Sequence, residues 1–273
     1  MRRRQRARLL RWALLALSAA LVVAVLLGVD LDRLQHAFFQ PDIAASMFPR
    51  VLAVAARNTV ILTVLGFTGG LIIGLLVALL RLSSVAPYRW FATTYIEIFR
   101  GLPALLTIIL IGYGLPIALG VSIPKTFGVT IGRVTYPGDY LPGATALAIV
   151  AGAYLAETIR AGIQAVPRAQ MEAARSLGMT HVRAMRSIVL PQAFRIIVPP
   201  LTNEAVLLLK DSALIFVLGT TPQTQELVRF ANARMGETFN ATPLTVVGLV
   251  YLAITIPLTR LAARLERRTE AAR

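Results

Sequence analysis

The sequence predicts an all-α integral membrane protein with six transmembrane helices, and three observations support this. Of the 273 residues, 56% are hydrophobic and only 15% are charged, which is a balance typical of membrane proteins. The apolar residues fall into six runs of about the length that a helix needs to cross a bilayer. The basic residues concentrate in alternate connecting segments, as the positive-inside rule describes.

The first predicted span covers residues 12–29 and follows the basic stretch MRRRQRARLLR. A cleaved signal peptide is the alternative. The run is about long enough to cross a membrane, and no clear small-x-small cleavage site follows it, so we interpret it as an uncleaved helix. Residues 30–57 are predicted to lie on the outer side of the membrane, with a short interfacial helix near residues 43–54.

The second predicted span covers residues 58–80, and its glycines allow close helix contact because association in lipid depends on packing. The GxxxG of Gly70 and Gly74 is interpreted as packing within one helix bundle. The remaining spans are predicted at residues 90–119, 143–163, 192–218 and 242–261, with the fifth interrupted by Pro199 and Pro200. Residues 120–142 and 219–241 form outer loops.

The distribution of basic residues predicts the orientation. The formal net charge is +15, and nineteen of the 28 Lys and Arg residues lie in segments assigned to the inner side, against six outside. This bias predicts that both termini are cytoplasmic. The charge therefore reflects membrane topology, and no nucleic-acid partner is predicted.

Several kinds of site are excluded by composition. The chain has no cysteine and only two histidines, which lie far apart, so neither a disulfide framework nor a metal site is expected. No GxxxxGK[ST] phosphate loop occurs. The chain is therefore not expected to bind ATP or any other cofactor, and ATP-driven work would have to come from a partner.

Residues 165–191 form a polar island between two apolar runs. A helix is predicted from about Pro167 to Leu177, and Gly178 follows where a helix end favours positive φ. Thr180 is predicted to cap a second short helix that ends at Pro191. Helical spacing predicts two apolar faces, one in each helix. These are Val166, Ala169, Ala173 and Leu177 in the first helix, and Val182, Met185 and Val189 in the second.

This island resembles the signature loop of permease subunits of ABC importers, through Glu172, Ala173, Ala174, Gly178, Ile188, Leu190 and Pro191. The flanks LAETIRAGI and QAFRIIVPPLTNEAVLLLKDSAL are similar to the polar amino acid branch of the binding-protein-dependent inner membrane components. The stretch TTYIEIFRGLPALL resembles the family's Y-x-E-x-F-R-G-x-P pattern. The resemblance covers residue 58 to the C-terminus. At Leu102, Thr107 and Ala213 the sequence departs from the residues that are more frequent in the family. These departures leave open which amino acid is carried.

The resemblance implies a non-catalytic permease subunit for polar or charged L-amino acids in the bacterial cytoplasmic membrane. Its core would be the five-helix type I importer fold at residues 58–264, containing a coupling loop at 165–191. Residues 1–57 would add an extra helix, and residues 265–273 a cytoplasmic tail. The implied partners are an ATPase subunit that uses ATP and Mg²⁺, an extracytoplasmic amino-acid-binding protein, and a second permease chain, identical or homologous.

Ionisable residues inside membrane spans are costly and usually face a bundle interior or a water-filled path. We consider these side chains, with one neighbouring amide, candidates for a substrate path or gate: Glu97, Arg100, Glu157, Arg160, Asn203, Glu204, Lys210 and Asp211. Glu157 and Arg160 can pair within one helix. Alternatively, Lys210 could meet the carboxylate of an amino acid while Glu204 or Glu157 meets its ammonium group.

Two other functions compete with the importer. A gradient-driven transporter or channel would not need a two-helix docking loop and often shows an internal repeat, which this sequence lacks. An intramembrane hydrolase would depend on a dyad of Ser212 and Lys210, and residues two apart do not face each other on a helix.

Overall fold

The computed structural model describes residues 11–20, 28, 30–120, 129–131, 134–136, 140–219 and 221–271, and nearly all of these are helical. The predicted all-α class is confirmed, with one two-stranded antiparallel hairpin added in the 120–142 loop. The helices are α1 Arg11–Ala20, α2 Leu31–Phe38, α3 Pro41–Ser46, α4 Arg57–Leu82, α5 Ala86–Gly101, α6 Ala104–Ile109, α7 Leu115–Leu119, α8 Tyr140–Gln164, α9 Arg168–Ser176, α10 His181–Ala184, α11 Leu190–Asp211, α12 Leu227–Thr238 and α13 Thr242–Ala271. The strands are β1 Val129–Ile131 and β2 Val134–Tyr136.

Short stretches of other helix types join several of these elements. π-Helical turns occupy Val51–Ala56, Leu110–Gly114 and Met185–Val189, and a 3₁₀ segment, Ser212–Leu218, continues α11. Each π turn leads directly into an α-helix, so the backbone stays helical across these junctions.

Among the described residues, three helices are long and apolar enough to cross a membrane. They are Val51–Leu82, Tyr140–Gln164 and Thr242–Arg267, and the bent pair α5 with α6–α7 makes a fourth if it is counted as one span. The predicted count of six is therefore not confirmed. The first predicted span is helical over residues 11–20, and most of its remainder lies outside the described residues. The fifth corresponds to α11, which is 22 residues long and carries four charged residues.

The third predicted span is wrong as a single straight helix. The chain bends by 108° between α5 and α6, at Gly101, Leu102 and Pro103. Leu102 is extended at φ −83° and ψ 142°, as expected for the residue before a proline, where the α conformation is disfavoured. Glu97 and Arg100 consequently lie on α5, before the bend.

Two further sequence-based predictions are corrected by helix continuity. Pro191 does not end the second loop helix, because the chain stays helical from the turn Met185–Val189 into α11, with Pro191 in the first turn of α11. Pro199 and Pro200 do not interrupt the fifth span, since α11 continues through both. Packing of α11 against α8 and α13 keeps this segment helical despite the lost backbone bonds.

The core of the bundle is the parallel pair α4 and α8, and glycines allow their close approach. A Cβ atom at Gly70 would lie 2.8 Å from the Cβ of Ala151, and one at Gly74 would lie 2.9 Å from the Cβ of Leu155. Both distances are too short for real side chains. The interpretation of the GxxxG as packing within one bundle is therefore confirmed.

The N-terminal end of α4 packs against α12 and α13, while α9 follows the C-terminal end of α8. We call these the α12 end and the α9 end of the bundle. Met47 and Val51 are buried in the cluster at the α12 end. The predicted interfacial helix near residues 43–54 is therefore wrong, because this segment splits into α3 and the buried start of the α4 span.

Candidate functional site

The loop at the α9 end consists of two short helices that meet at a left-handed glycine. Gly178 has φ +83°, and the backbone N–H of Met179 donates to the carbonyl of Ala174 at 3.2 Å. This left-handed residue closes the C-terminus of α9 with the bonds that such a cap requires. The hydroxyl of Thr180 accepts from the N–H of Arg183 at 3.4 Å and caps α10. The predicted bend and cap are confirmed.

The faces of this loop differ from the prediction. Ala174 packs inward and is almost fully buried, whereas Ala169, Ala173 and Leu177 are exposed. The packed face of α9 thus lies on the side of Met171 and Ala174, and Met171 contacts the cluster that α4, α5, α8 and α11 form. Of the predicted apolar face, only Val166 is buried.

The second helix agrees better with its predicted face, because Met185 packs against the same cluster. Ala184 and Val189 are buried, but Val182 is 75% exposed, and Leu177 at the end of α9 is 84% exposed. Glu172 and Pro191 are exposed, Ile188 is partly covered, and Leu190 is exposed over nearly half its surface. The loop therefore presents large apolar side chains on its outer surface, which in a folded protein indicates an interaction site.

Glu157 and Arg160 form the ion pair that their spacing predicts. The Arg160 Nε donates to Glu157 Oε2 at 3.1 Å, and a second guanidinium nitrogen contacts the other carboxylate oxygen. The remaining arm of Arg160 donates to Gln164. The two-point contact satisfies the carboxylate, so the structural interpretation of this pair is favoured over a ligand role.

Glu204 and Asp211 come together on one face of α11. Both line a cavity of about 20 Å³, roughly the space of one water molecule, together with Phe67, Tyr154 and Leu208. Neither carboxylate forms an ion pair in the described part of the chain. Arg100 of α5 lies nearby, with its guanidinium carbon 5.4 Å from the centre of the Tyr154 ring. This arrangement offers two carboxylates, a cation and an aromatic face to a small polar molecule.

The structure does not bring the other candidates into this cavity. Lys210 and Asn203 are exposed on other faces of α11 and do not line this cavity, and the joint ligand role of Lys210 with Glu204 or Glu157 stays a prediction. Six residues of α-helix separate two side chains by about a third of a turn. Glu97 is exposed on α5. The Ser212 hydroxyl is buried and donates to the carbonyl of Leu209 at 2.7 Å, so it does not form a dyad with Lys210.

A buried polar cluster at the α12 end escaped the sequence analysis. Asn58 is fully buried, and its Nδ2 donates to the carbonyls of Gln223 and Gln225 at 2.8 and 3.0 Å. The hydroxyl of Thr59 accepts from the N–H of Leu227 at 3.1 Å. Through these bonds the start of α4 holds the segment at residues 223–227 in place.

Glu226 is the fully buried N-cap of α12. Its two carboxylate oxygens accept from the N–H groups of Val228 and Arg229, both at 2.6 Å. Burial raises the pKa of the Glu226 carboxyl to about 7, against the lowering effect of these two donors. The sequence signal for such a cap is an acidic residue, here Glu226, directly before the segment LVRF that begins the helix. No cluster of three or more metal-ligating His, Cys, Asp or Glu side chains occurs in the described ranges.

Comparison with known proteins gives consistent matches over most of the chain. The family described as the binding-protein-dependent transport system inner membrane component matches residues 70–271. The chain is 32% identical over 218 residues to the arginine transport system permease protein ArtQ of Bacillus subtilis (strain 168), covering 80% of this chain and 90% of that protein. It is 35% identical to the probable glutamine ABC transporter permease protein GlnM of the same strain, covering 78% and 90%.

Solved structures agree with these matches. An amino acid ABC transporter crystallised with histidines superposes with a TM-score of 0.70 at 37% identity, covering 82% of this chain and 96% of that one. A bacterial ABC transporter for alginate import superposes with a TM-score of 0.63 at 17% identity, covering 97% and 99%. The second likeness shows the shared fold alone.

Proposed function

The chain belongs to the family of binding-protein-dependent transport system inner membrane components, and on that premise we propose that it is the permease subunit of an ATP-driven amino acid importer. The observation that carries the proposal is the exposed two-helix loop at the α9 end, whose bend depends on the left-handed Gly178. Relatives named as permeases for arginine and glutamine support amino acids as the cargo.

In this proposal the loop at residues 165–191 docks into a separate ATPase subunit. Ala173, Leu177 and Val182 form its exposed apolar surface, which would become buried in the complex. Met171 and Val189 attach the loop to the bundle. ATP and Mg²⁺ would be bound by the partner, and closure of two ATPase subunits would displace α9 and, with it, α8.

The proposed topology has six spans, with the bent pair α5 and α6–α7 as the third and α11 as the fifth. The α9 end faces the cytoplasm, because the arginine-rich segments lie there, and both termini are cytoplasmic. Residues 1–57 precede a transport domain at 58–264, and residues 265–273 form a tail. The chain works with a second permease chain and an extracytoplasmic binding protein, which delivers the amino acid to the α12 end.

The proposed path for the amino acid passes the cavity of Glu204, Asp211 and Tyr154, with Arg100 beside the Tyr154 ring. The two carboxylates would meet the ammonium group, and Arg100 would meet the carboxylate of the passing molecule. The Glu157–Arg160 pair, nearer the α9 end, would act as a gate between helices. Lys210 and Asn203 face outward from this chain and would contact the second permease chain.

The test compares three variants in the purified complex of permease and ATPase. Gly178→Val is expected to abolish ATPase activity stimulated by the loaded binding protein, because a β-branched residue resists positive φ. Gly178→Asn should retain part of this activity, since asparagine tolerates the left-handed region. Gly236→Val is the matched control, at an exposed helical glycine of α12 with open space around it.

The outcomes separate docking from folding. Complexes of Gly178→Val that insert and purify normally yet fail to couple ATP hydrolysis to uptake would support the docking role. Normal uptake by Gly178→Val would overturn it. If the wild-type chain purifies folded and without any ATPase subunit, the gradient-driven alternative gains support instead.

A further inference from the structure

The α12 end carries a set of exposed apolar side chains that the transport mechanism does not use. We call this set the apolar ridge, and it consists of Leu31, Leu34, Phe38, Phe39 and Phe239. All five are exposed, and Phe239 is 94% exposed, the highest value among the large apolar residues of the described chain. We propose that the apolar ridge is an interfacial anchor that inserts into the bilayer where α13 leaves it.

The sequence of α2 has the pattern of a helix that lies in a membrane surface. Leu31, Leu34 and Phe38 recur at intervals of three and four residues and fall on one face. Asp32 and His36 fall on the opposite face. The side chain of Asp30 caps the helix by accepting from the N–H of Arg33 at 3.1 Å. Such a helix buries its apolar face at the boundary of headgroups and acyl chains.

Hydrogen bonds fix the depth of α2 relative to the membrane. The N–H of Ala241 donates to the carbonyl of Ala37 at 2.9 Å, and the Asn240 amide donates to the carbonyl of His36 at 2.6 Å. The N–H of Gln40 donates to the hydroxyl of Thr242 at 3.0 Å. These bonds attach the last turn of α2 to the first residue of α13.

The first residue of α13 lies at the edge of the hydrocarbon core. A core of about 30 Å corresponds to about 20 residues of helix at 1.5 Å per residue. Counted back from Arg260, the first charged residue of α13, about 20 residues reach position 241. The last turn of α2 and Phe239 are therefore level with the membrane interface, where aromatic side chains are enriched.

The backbone at Phe239 supports a function for its exposed ring. Phe239 has φ +49° and ψ +35°, a left-handed conformation that is unusual for a bulky residue and costs about 1–2 kcal/mol. The conformation ends α12 and turns the chain toward α13. A strained residue with an almost fully exposed aromatic ring gains a compensating interaction when that ring enters lipid.

The test uses the fact that the chain has no cysteine. Single spin labels are attached at Leu34→Cys, at Phe239→Cys and, as a control on the polar face of α2, at Asp32→Cys. The complex with its ATPase is reconstituted in phosphatidylethanolamine and phosphatidylglycerol vesicles. Collision of each label with molecular oxygen, which concentrates in lipid, is compared with collision with a water-soluble nickel chelate.

Labels at positions 34 and 239 are expected to collide with oxygen severalfold more, relative to the chelate, than the label at position 32. Equal chelate access at positions 34 and 32 would overturn the proposal, because the ridge would then face water. Labels shielded from both reagents would also overturn it, because another protein would then cover the ridge. Retained ATPase activity of each labelled complex serves as the check on folding.

Discussion

The two ends of the bundle differ in which side chains they bury and which they expose. At the α12 end, polar side chains such as Asn58, Thr59 and Glu226 are fully buried, and they hold the connecting segment through hydrogen bonds. At the α9 end, apolar side chains such as Leu177 and Val182 are exposed on short helices. The buried polar groups of the first end hold neighbouring segments of the same chain together, whereas the exposed apolar side chains of the second are left largely uncovered by the described part of this chain. This difference separates the part of the chain that holds the fold from the part for which we propose a docking role.

The largest predicted effect is the loss of stability caused by Asn58→Ala at the α12 end. Removal of the amide leaves the carbonyls of Gln223 and Gln225 without their donor, at a cost of about 1–3 kcal/mol for each. The loss of an amide oxygen that has no partner among the described residues offsets part of this cost. We expect the free energy of unfolding to fall by about 3 kcal/mol, measured by thermal unfolding in detergent. An unchanged melting temperature would show that the α12 end does not depend on this amide.

The second prediction concerns the pH dependence of stability through Glu226. Its pKa is raised on folding to about 7, so the folded protein binds its proton more tightly than the unfolded chain. The stabilisation is complete below the unfolded pKa and is lost as pH rises through the folded value, by about 3 kcal/mol in total. Glu226→Gln keeps the cap without the charge and should flatten the melting temperature between pH 5 and about pH 8. A wild-type profile that rises over this interval would contradict the assignment.

The third prediction applies to the α9 end. Leu177→Ser should change the stability of the isolated chain by less than about 0.5 kcal/mol, because the side chain is exposed. Affinity for the ATPase subunit should fall by about 1–2 kcal/mol, if Leu177 fills an apolar pocket of the partner. Titration of the ATPase subunit against the reconstituted permease measures this, with Arg175→Ser as a neighbouring polar control. Equal effects of both substitutions would argue against apolar docking.

The smallest predicted effect is a change in stability at Phe239 that differs between detergent and vesicles. Phe239→Asn places a residue that tolerates the left-handed region at this position, and should stabilise the detergent-solubilised chain by about 0.5–1 kcal/mol. In vesicles the gain should disappear, because the anchoring ring is lost. Comparing melting temperatures in the two media measures the difference. A gain of the same size in both would mean that the ring contributes nothing in lipid.

Local signals in the sequence predicted local geometry correctly. The positive φ at Gly178, the cap at Thr180 and the pairing of Glu157 with Arg160 each depend on residues within four positions of one another. The close contact of α4 and α8 also followed from small residues in one span. The cap, the bend and the ion pair each depend on interactions between residues close in sequence. The contact of α4 and α8 requires only that the residues between them are small.

Features that depend on distant contacts were missed. The buried face of α9 depends on its packing against α10 and the turn Met185–Val189, and Ala174 rather than Ala173 turns inward. The burial of Asn58 and Glu226 arises from segments more than 160 residues apart, and no local pattern marks it beyond the helix cap. The continuity of α11 through three prolines reflects packing that overrides local preference. The bend after Gly101 did have a local signal in Pro103, and a continuous apolar run outweighed it.

The glycine-lined contact of α4 and α8 has a mechanical consequence. Backbones that approach until a Cβ would be only 2.8 Å from its neighbour leave no room for a side chain between the two helices. We therefore expect the two helices to move as one rigid unit. The loop at residues 165–191 follows α8 at one end of this unit, and Asn58 of α4 lies at the other end. A displacement of α9 would then be transmitted through the helix pair to residues 223–227.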